Sequence, residues 1–224
     1  MQGRCSLPTC RDRDRSLCQG LAHKILRSKI CHYYWENSWD TKDQMSSSTP
    51  DASSPDASLL DASILNRTAA AVLTVSDSCS RGEKVDLSGP ALVEALGRRN
   101  FQVVARSVVA DERAAIQEKL IELCRSARLV LTTGGTGIAP RDVTPEATSA
   151  VCDRLVEGIA EQMRFQGMCK TRFAALSRAV CGVRGTSLIL NLPGSPAGAV
   201  ESLEAVMDLL PHALELIAGK TAHE

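Results

Sequence analysis

Four apolar runs, each about the length of a β-strand, limit the folds open to this 224-residue chain. They occupy residues 69–75, 103–109, 129–133 and 187–192. The apolar residues in them are largely consecutive rather than alternating with polar ones, although Arg106 interrupts the second run. Consecutive apolar residues are typical of strands that are covered on both faces, so the runs predict a mostly parallel sheet.

Helix signals lie between these runs. Ser88, Asp111 and Thr144 each stand where a side chain can cap the start of a helix. Pro196 opens a fourth helical stretch, which Pro211 must break or kink. Strands that alternate with helices predict an α/β fold, built as a three-layer α/β/α sandwich around the sheet.

The first 67 residues differ from the remainder of the chain. Between residues 45 and 63 they consist largely of Ser, Asp, Pro and Ala, a composition that cannot bury enough apolar surface to fold. We therefore expect residues 1–67 to be a disordered or dispensable N-terminal extension, and residues 68–224 to form one domain. We also expect the biological start to be Met45.

The charge balance argues against several classes of function. Lys and Arg number 26, and so do Asp and Glu, whereas nucleic-acid binders and membrane-surface proteins carry a basic excess. No apolar run approaches the roughly 20 residues that span a bilayer. No secretory signal pattern precedes the nine cysteines, so we expect free thiols and a cytoplasmic protein.

The third apolar run leads directly into the strongest motif. Residues 131–137 read Leu-Thr-Thr-Gly-Gly-Thr-Gly, so a predicted strand ends in three glycines and hydroxyl side chains. Glycines let backbone N–H groups converge on an anion, and open α/β sheets bind ligands at this end of their strands. A simple tight turn is the alternative, but three glycines in four residues favour an anion site. The segment matches neither a dinucleotide-binding fingerprint nor a P-loop.

Polar groups follow the other predicted strands as well. Asp142 lies just beyond the glycines, where it either caps the turn or holds Mg²⁺ together with substrate phosphates. Residues 74–77 and 191–196 carry further Ser, Thr, Asp, Asn and Gly. The predicted domain has histidine only at positions 212 and 223, away from these motifs, which disfavours a histidine base. Such a site is suited to positioning and charge neutralisation, as phosphoryl or nucleotidyl transfer requires.

Five segments, taken in order, resemble the Mog/MoaB family, which includes molybdopterin adenylyltransferases and the amino-terminal domain of gephyrin. They are residues 74–77, 86–89, 132–137, 141–146 and 192–195, and residues 176–185 add a likeness to the gephyrin side of the family. The resemblance covers about residues 70–221. It implies a three-layer α/β/α domain that assembles as a homotrimer.

The resemblance also implies an activity. Family enzymes transfer AMP from Mg-ATP to the terminal phosphate of molybdopterin and release pyrophosphate, so Mg²⁺ is the expected cofactor and both substrates are small molecules. A molybdenum insertase is an expected downstream partner, and no nucleic acid or membrane is involved. A non-catalytic trimeric scaffold or pterin carrier is the alternative. Retention of Asp111 and Asp142 favours the enzyme, because a carrier can bind the phosphate without Mg²⁺.

The family pattern assigns roles to individual positions. Its two functional aspartates match Asp111 and Asp142, and Asp142 is the expected Mg²⁺ ligand. The expected substrate- and nucleotide-binding residues are Ser76, Asp77, Thr133, Gly134, Gly135, Thr136, Gly137, Gly194 and Ser195. Because the domain contains no Tyr or Trp, recognition of the purine and the pterin is expected to depend on backbone and aliphatic contacts.

Overall fold

The computed structural model describes residues 67–220, which form one six-stranded sheet with the strand order β2-β1-β3-β6-β5-β4. The strands are β1 (Thr68–Val75), β2 (Phe101–Val109), β3 (Leu129–Thr133), β4 (Arg154–Leu155), β5 (Cys181–Arg184) and β6 (Ser187–Leu192). Neighbours from β2 to β6 pair in parallel, whereas β5 pairs antiparallel with both β6 and β4. The predicted mostly parallel sheet is confirmed, and its four predicted strands are present.

Within the described residues, seven α-helices connect the strands. They are α1 (Asp77–Ser80), α2 (Ser88–Gly97), α3 (Arg113–Leu123), α4 (Thr144–Val151), α5 (Glu157–Met168), α6 (Pro196–Glu204) and α7 (Leu210–Ile217). Two short 3-10 helices, Arg172–Leu176 and Met207–Leu209, complete the connections.

Two apolar clusters, one on each face of the sheet, hold the layers together. Helices α2, α5, α6 and α7 contribute to one cluster, and α3 and α4 contribute to the other. Consecutive strand residues alternate between them: Val72 points into the first cluster and Leu73 into the second, and both are fully buried. The fold is therefore a three-layer α/β/α sandwich, as predicted.

The three predicted helix caps are wrong in detail. Ser88 and Thr144 are the first residues of α2 and α4 rather than caps, and α3 begins at Arg113 without a side-chain cap from Asp111. In α2 the capping group is Asp86, whose Oδ1 accepts the N–H of Gly89 at 2.9 Å. In each case the side chain of the predicted cap binds another partner instead.

The predictions for the two ends of the chain and for membrane spans can be compared with the structure in turn. The C-terminal helical stretch is interrupted as expected, with Pro211 in the first turn of α7. The predicted N-terminal extension and the Met45 start lie outside the described residues, apart from Arg67. From residue 67 to residue 220, no helix has the length and apolar character that a membrane span requires.

Candidate active site

The carboxyl ends of β1, β3 and β6 meet at one edge of the sheet, and the segment after β3 passes between its neighbours there. Gly134 donates its N–H to Leu192 O at 3.2 Å. A Cβ atom on Gly134 would collide with Val75 O, and its φ of +103° is also unfavourable for other residues. Gly194 packs against the Gly134 backbone, with its Cβ position 3.2 Å from that Cα. Glycine is therefore required at this crossing.

The segment 134–143, called here the glycine loop, connects β3 to α4. Its carbonyl groups are bound by the scaffold. Thr144 Oγ1 donates to Gly134 O at 2.9 Å, and Thr144 N donates to Gly135 O at 3.1 Å. Arg178 donates its own N–H to Thr136 O at 2.9 Å and its Nε to Gly137 O at 2.6 Å.

The N–H groups of the same loop are available on the other side. Gly134 and Gly135 have φ values of +103° and +62°, which is the kind of backbone that turns successive N–H groups toward one point. Within residues 67–220, the N–H groups of residues 135–138 donate no hydrogen bond. Residues 135–137 line a cavity. The loop thus has free N–H groups beside a cavity, as an anion-binding loop requires.

Two cavities meet at the glycine loop. The large cavity, of about 780 Å³, lies between the loop and the segment from α5 through the first 3-10 helix. The small cavity, of about 400 Å³, lies between the loop and the ends of β1 and β2. Gly135 and Gly194 line both. Two ligands placed in these cavities would therefore approach each other at the glycine loop.

Asp77 and Asp111 tie the ends of β1 and β2 together. Asp111 Oδ2 accepts the N–H of Asp77 at 2.7 Å, and Asp77 Oδ1 accepts the N–H of Asp111 at 3.0 Å. Arg141 pairs with Asp77 at 2.8 Å and with Glu112 at 2.9 Å. The hydrogen bond from Arg141 holds the pKa of Asp77 below its usual range, whereas burial raises the pKa of Asp111. Asp77 thus positions Asp111, which lines the small cavity.

The two predicted catalytic aspartates flank the glycine loop. Asp111 Oδ1 lies 3.1 Å from the position that a Cβ atom would take on Gly135. Asp142 Oδ2 lies 2.8 Å from the corresponding position on Gly137, and it accepts the N–H of Ala139 at 2.7 Å. Asp142 lines the large cavity. The two carboxylates therefore lie close to the glycine loop, one beside Gly135 and the other beside Gly137.

The carboxylate of Asp142 fits a role in holding Mg²⁺. One of its oxygens closes a turn, and no bond to Oδ1 occurs within the described part of the chain. No group of three or more His, Cys, Asp or Glu side chains among residues 67–220 is arranged to hold a metal ion. Mg²⁺ commonly binds through one or two carboxylates together with substrate phosphates rather than in an all-protein cage, and this donor set suits that mode.

The other predicted site residues combine structural bonds with positions beside the cavities. Ser76 caps α1 through its Oγ and lines the small cavity. Thr133 donates its Oγ1 to Pro193 O at 2.7 Å. Thr136 is nearly buried in the glycine loop and lines the large cavity. Ser195 lines the large cavity and caps α6 by accepting the N–H of Gly198 at 3.3 Å.

Residues outside the predicted set also lie at this site. Asp86 accepts the Oγ1 hydrogen of Thr74 at 2.8 Å and lines the small cavity. Phe173 is 64% exposed and lines the large cavity, so one aromatic ring stands beside this cavity in addition to the expected backbone and aliphatic groups. Arg178 binds the glycine loop. Asp86 and Arg178 lie in segments that carry the family likeness, which was the available sequence signal.

Residues 71–212 match the protein family described as "Probable molybdopterin binding domain". The chain belongs to this family. The match covers well over half of the chain and includes the glycine loop and both flanking aspartates. The family resemblance found in the sequence is confirmed.

Individual relatives agree with this membership. The molybdopterin adenylyltransferase of Helicobacter pylori (strain J99) is 44% identical over 152 residues, which cover 66% of this chain and 86% of that protein. The molybdenum cofactor synthesis protein cinnamon of Drosophila melanogaster is 43% identical over 150 residues. These residues are 65% of this chain but only 25% of cinnamon, so the likeness concerns one part of that protein.

A solved structure shows the same fold. The molybdopterin biosynthesis enzyme MoaB of Thermus thermophilus superposes with a TM-score of 0.65 and is 53% identical in sequence. The aligned part covers 68% of this chain and 98% of that one. The family domain described here therefore accounts for nearly the whole of MoaB.

Proposed function

We propose that this member of the molybdopterin-binding family transfers AMP from ATP to the terminal phosphate of molybdopterin and releases pyrophosphate. The proposal depends on the glycine loop, whose carbonyl groups are held by the scaffold while the N–H groups of residues 135–138 donate no bond within residues 67–220. Asp111 lines the small cavity beside the loop and Asp142 the large one. The name and sequence of the H. pylori relative support this activity.

The geometry suits a reaction between two polyanions. Each of the two cavities accommodates one substrate, and their phosphates meet at the glycine loop. The N–H groups of residues 135–138 screen the repulsion between those phosphates, and the positive end of α4 adds to the effect. The loop therefore neutralises phosphate charge with fixed backbone dipoles, and no side chain has to change its protonation state.

The bond changes follow from that placement. An oxygen of the pterin phosphate attacks the α-phosphorus of ATP, the new P–O bond forms, and the bond to the β-phosphate oxygen breaks. The electron pair leaves with pyrophosphate. The attacking phosphate is already ionised near neutral pH, so it needs no strong base. This agrees with the absence of histidine from the described residues that line the two cavities.

The aspartates have separate roles in this proposal. Asp142 holds Mg²⁺, which when bound neutralises charge on the nucleotide phosphates. The N–H of Ala139 fixes the carboxylate of Asp142 in place. Asp111 is held by the N–H of Asp77 and lies beside Gly135 at the junction of the cavities. Asp77 thus contributes through Asp111 rather than by lining either cavity.

The wider setting of the enzyme is also a proposal. We infer that the domain, residues 68–224, assembles as a homotrimer in the cytoplasm and passes adenylylated molybdopterin to a molybdenum insertase. The family resemblance supports these inferences.

Pyrophosphate release from ATP in the presence of molybdopterin and Mg²⁺ tests the proposed function. We expect release that requires both substrates, with formation of an adenylylated pterin detectable by mass spectrometry. Tight binding of molybdopterin without any release of pyrophosphate would contradict the proposal and favour a non-catalytic pterin carrier.

A further inference from the structure

Arg178 donates three hydrogen bonds to carbonyl groups of the glycine loop. It lies between the first 3-10 helix and β5, 41 residues after Gly137 and 36 after Asp142. Its backbone N–H donates to Thr136 O at 2.9 Å, its Nε to Gly137 O at 2.6 Å and its Nη2 to Asp142 O at 2.5 Å. The side chain thereby joins Gly137 to Asp142 near the end of the loop, and the backbone N–H adds the bond to Thr136.

The fourth contact of Arg178 extends to the helix that follows the loop. Nη1 pairs with the carboxylate of Glu146 in the first turn of α4. The guanidinium holds the pKa of Glu146 below its usual range. Arg178 is partly buried, so its planar fork of donors is fixed by partners on three sides. A planar guanidinium can satisfy several diverging acceptors at once, which the single nitrogen of lysine cannot.

The orientation of a peptide group relates these contacts to catalysis. When the carbonyl group of a peptide is held on one side, the N–H of the next residue is directed to the other side, because the peptide unit is planar. The backbone N–H of Arg178 holds the carbonyl group of Thr136, and its side chain holds that of Gly137, so the side chain itself sets the direction of the Ile138 N–H group. It also holds the carbonyl group of Asp142, whose side chain lines the large cavity.

We propose that Arg178 is a positioning residue for AMP transfer, which holds the carbonyl side of the glycine loop so that the N–H groups and the Asp142 carboxylate converge on the substrate phosphates. The role rests on the proposed function. In this role, a residue remote in sequence from the loop fixes the geometry of the anion site before the substrates bind. A displacement of about 1 Å in a catalytic group can cost about 100-fold in rate.

Arg128 provides a matched control for substitution of Arg178. It also bridges two backbone carbonyl groups, donating to Leu214 O at 2.6 Å and to Thr186 O at 3.3 Å. It immediately precedes β3, so it lies at the opposite end of that strand from the glycine loop. Arg128→Gln removes the same kind of contact without touching the loop.

The test compares Arg178→Gln, Arg178→Lys, Glu146→Gln and Arg128→Gln in the full-length protein. Inorganic pyrophosphate binding is measured by calorimetry, AMP transfer by steady-state kinetics, and folding by thermal denaturation. We expect Arg178→Gln to lower kcat by about 100-fold and pyrophosphate affinity by about tenfold. Arg178→Lys should recover part of both, and Glu146→Gln should change both by less than about threefold, because the carbonyl contacts of Arg178 remain.

Two results would overturn the role of Arg178. One is a folded Arg178→Gln protein whose turnover and pyrophosphate affinity equal those of Arg128→Gln. The other is an equal loss in both arginine variants that follows their fraction of unfolded protein. If Arg178→Gln does not fold, Arg178→Lys and Glu146→Gln carry the test, and equal effects of these two would refute the role. Wild-type protein that binds pyrophosphate but transfers no AMP would contradict the proposed function alone.

Discussion

Replacing Asp142 with asparagine separates a catalytic role for this residue from a structural one. Asp142 Oδ2 accepts the N–H of Ala139 at 2.7 Å, and the amide oxygen of asparagine can accept the same bond. The substitution therefore keeps the turn and removes the charge. A hydrogen bond to a charged acceptor is worth about 1 kcal/mol more than one to a neutral acceptor. For a domain of this size that difference lowers the melting temperature by about 2–4 °C.

The expected effect of Asp142→Asn on turnover is much larger than its effect on stability. Loss of one preorganised electrostatic contact typically costs about 10²–10³ in rate. We expect a loss of at least about 100-fold in AMP transfer, while the protein still binds molybdopterin. Pyrophosphate release at saturating Mg²⁺, molybdopterin binding and thermal denaturation measure the three quantities.

Asp153 supplies the control for this experiment. Its Oδ2 accepts the N–H of Gly185 at 2.7 Å in the hairpin between β5 and β6, so Asp153→Asn makes the same chemical change without altering the site. We expect a similar small change in melting temperature and normal turnover. Near-normal turnover of Asp142→Asn at saturating Mg²⁺, or a loss no greater than that of Asp153→Asn, would refute the proposed mechanism.

Three further substitutions test other parts of the site. Asp111→Asn can still accept the N–H of Asp77, so we expect normal folding and a loss of AMP transfer similar to or smaller than that of Asp142→Asn; unchanged kinetics would contradict this. Gly134→Ala places a Cβ against Val75 O at a φ of +103°, and we expect at least about 2 kcal/mol of destabilisation in chemical denaturation; wild-type stability would contradict the requirement for glycine. Arg141→Gln removes the largest cause of the lowered pKa of Asp77, while the hydrogen bond from the Asp111 N–H remains. A lowered folded pKa stabilises the fold above the unfolded value of about 4 and ceases to do so as the pH falls through the folded pKa. The melting temperatures of Arg141→Gln and wild type should therefore differ near pH ~7 and converge near pH ~2, and a constant difference would contradict this origin.

The central strands could be predicted because their signal is local. Strands β1, β3 and β6 are buried on both faces, and consecutive apolar residues express that burial directly in the sequence. Strand β4 has only two residues and β5 only four, both in antiparallel pairs at the edge of the sheet. Such short segments carry too little periodicity to be recognised.

Helix α5 and the helix caps illustrate a different limit. In α5 only Ile159, Ala160 and Met163 are buried, so its apolar face is narrow and its sequence gives a weak helical pattern. Asp111 has the residue type of a cap, yet its carboxylate accepts an N–H from Asp77, 34 residues earlier. The tendency of a side chain to cap a nearby helix is overridden where the fold brings a stronger hydrogen-bond partner to it.

The sequence by itself predicted an anion-binding loop after β3 and a carboxylate beside it. Three glycines directly after a buried strand, followed by Asp142, are local features with a local physical consequence: free N–H groups beside a charge. The tertiary structure alone decided which residues bind the carbonyl groups of that loop and which other side chains lie beside it. Asp77 and Asp111 meet because β1 and β2 are adjacent parallel strands. Arg178 reaches Gly137 and Asp142 only because the chain, after passing through β4 and α5, returns to the site before it enters β5 between β6 and β4. Hydrogen bonds between segments so far apart depend on strand order, which no short stretch of sequence encodes.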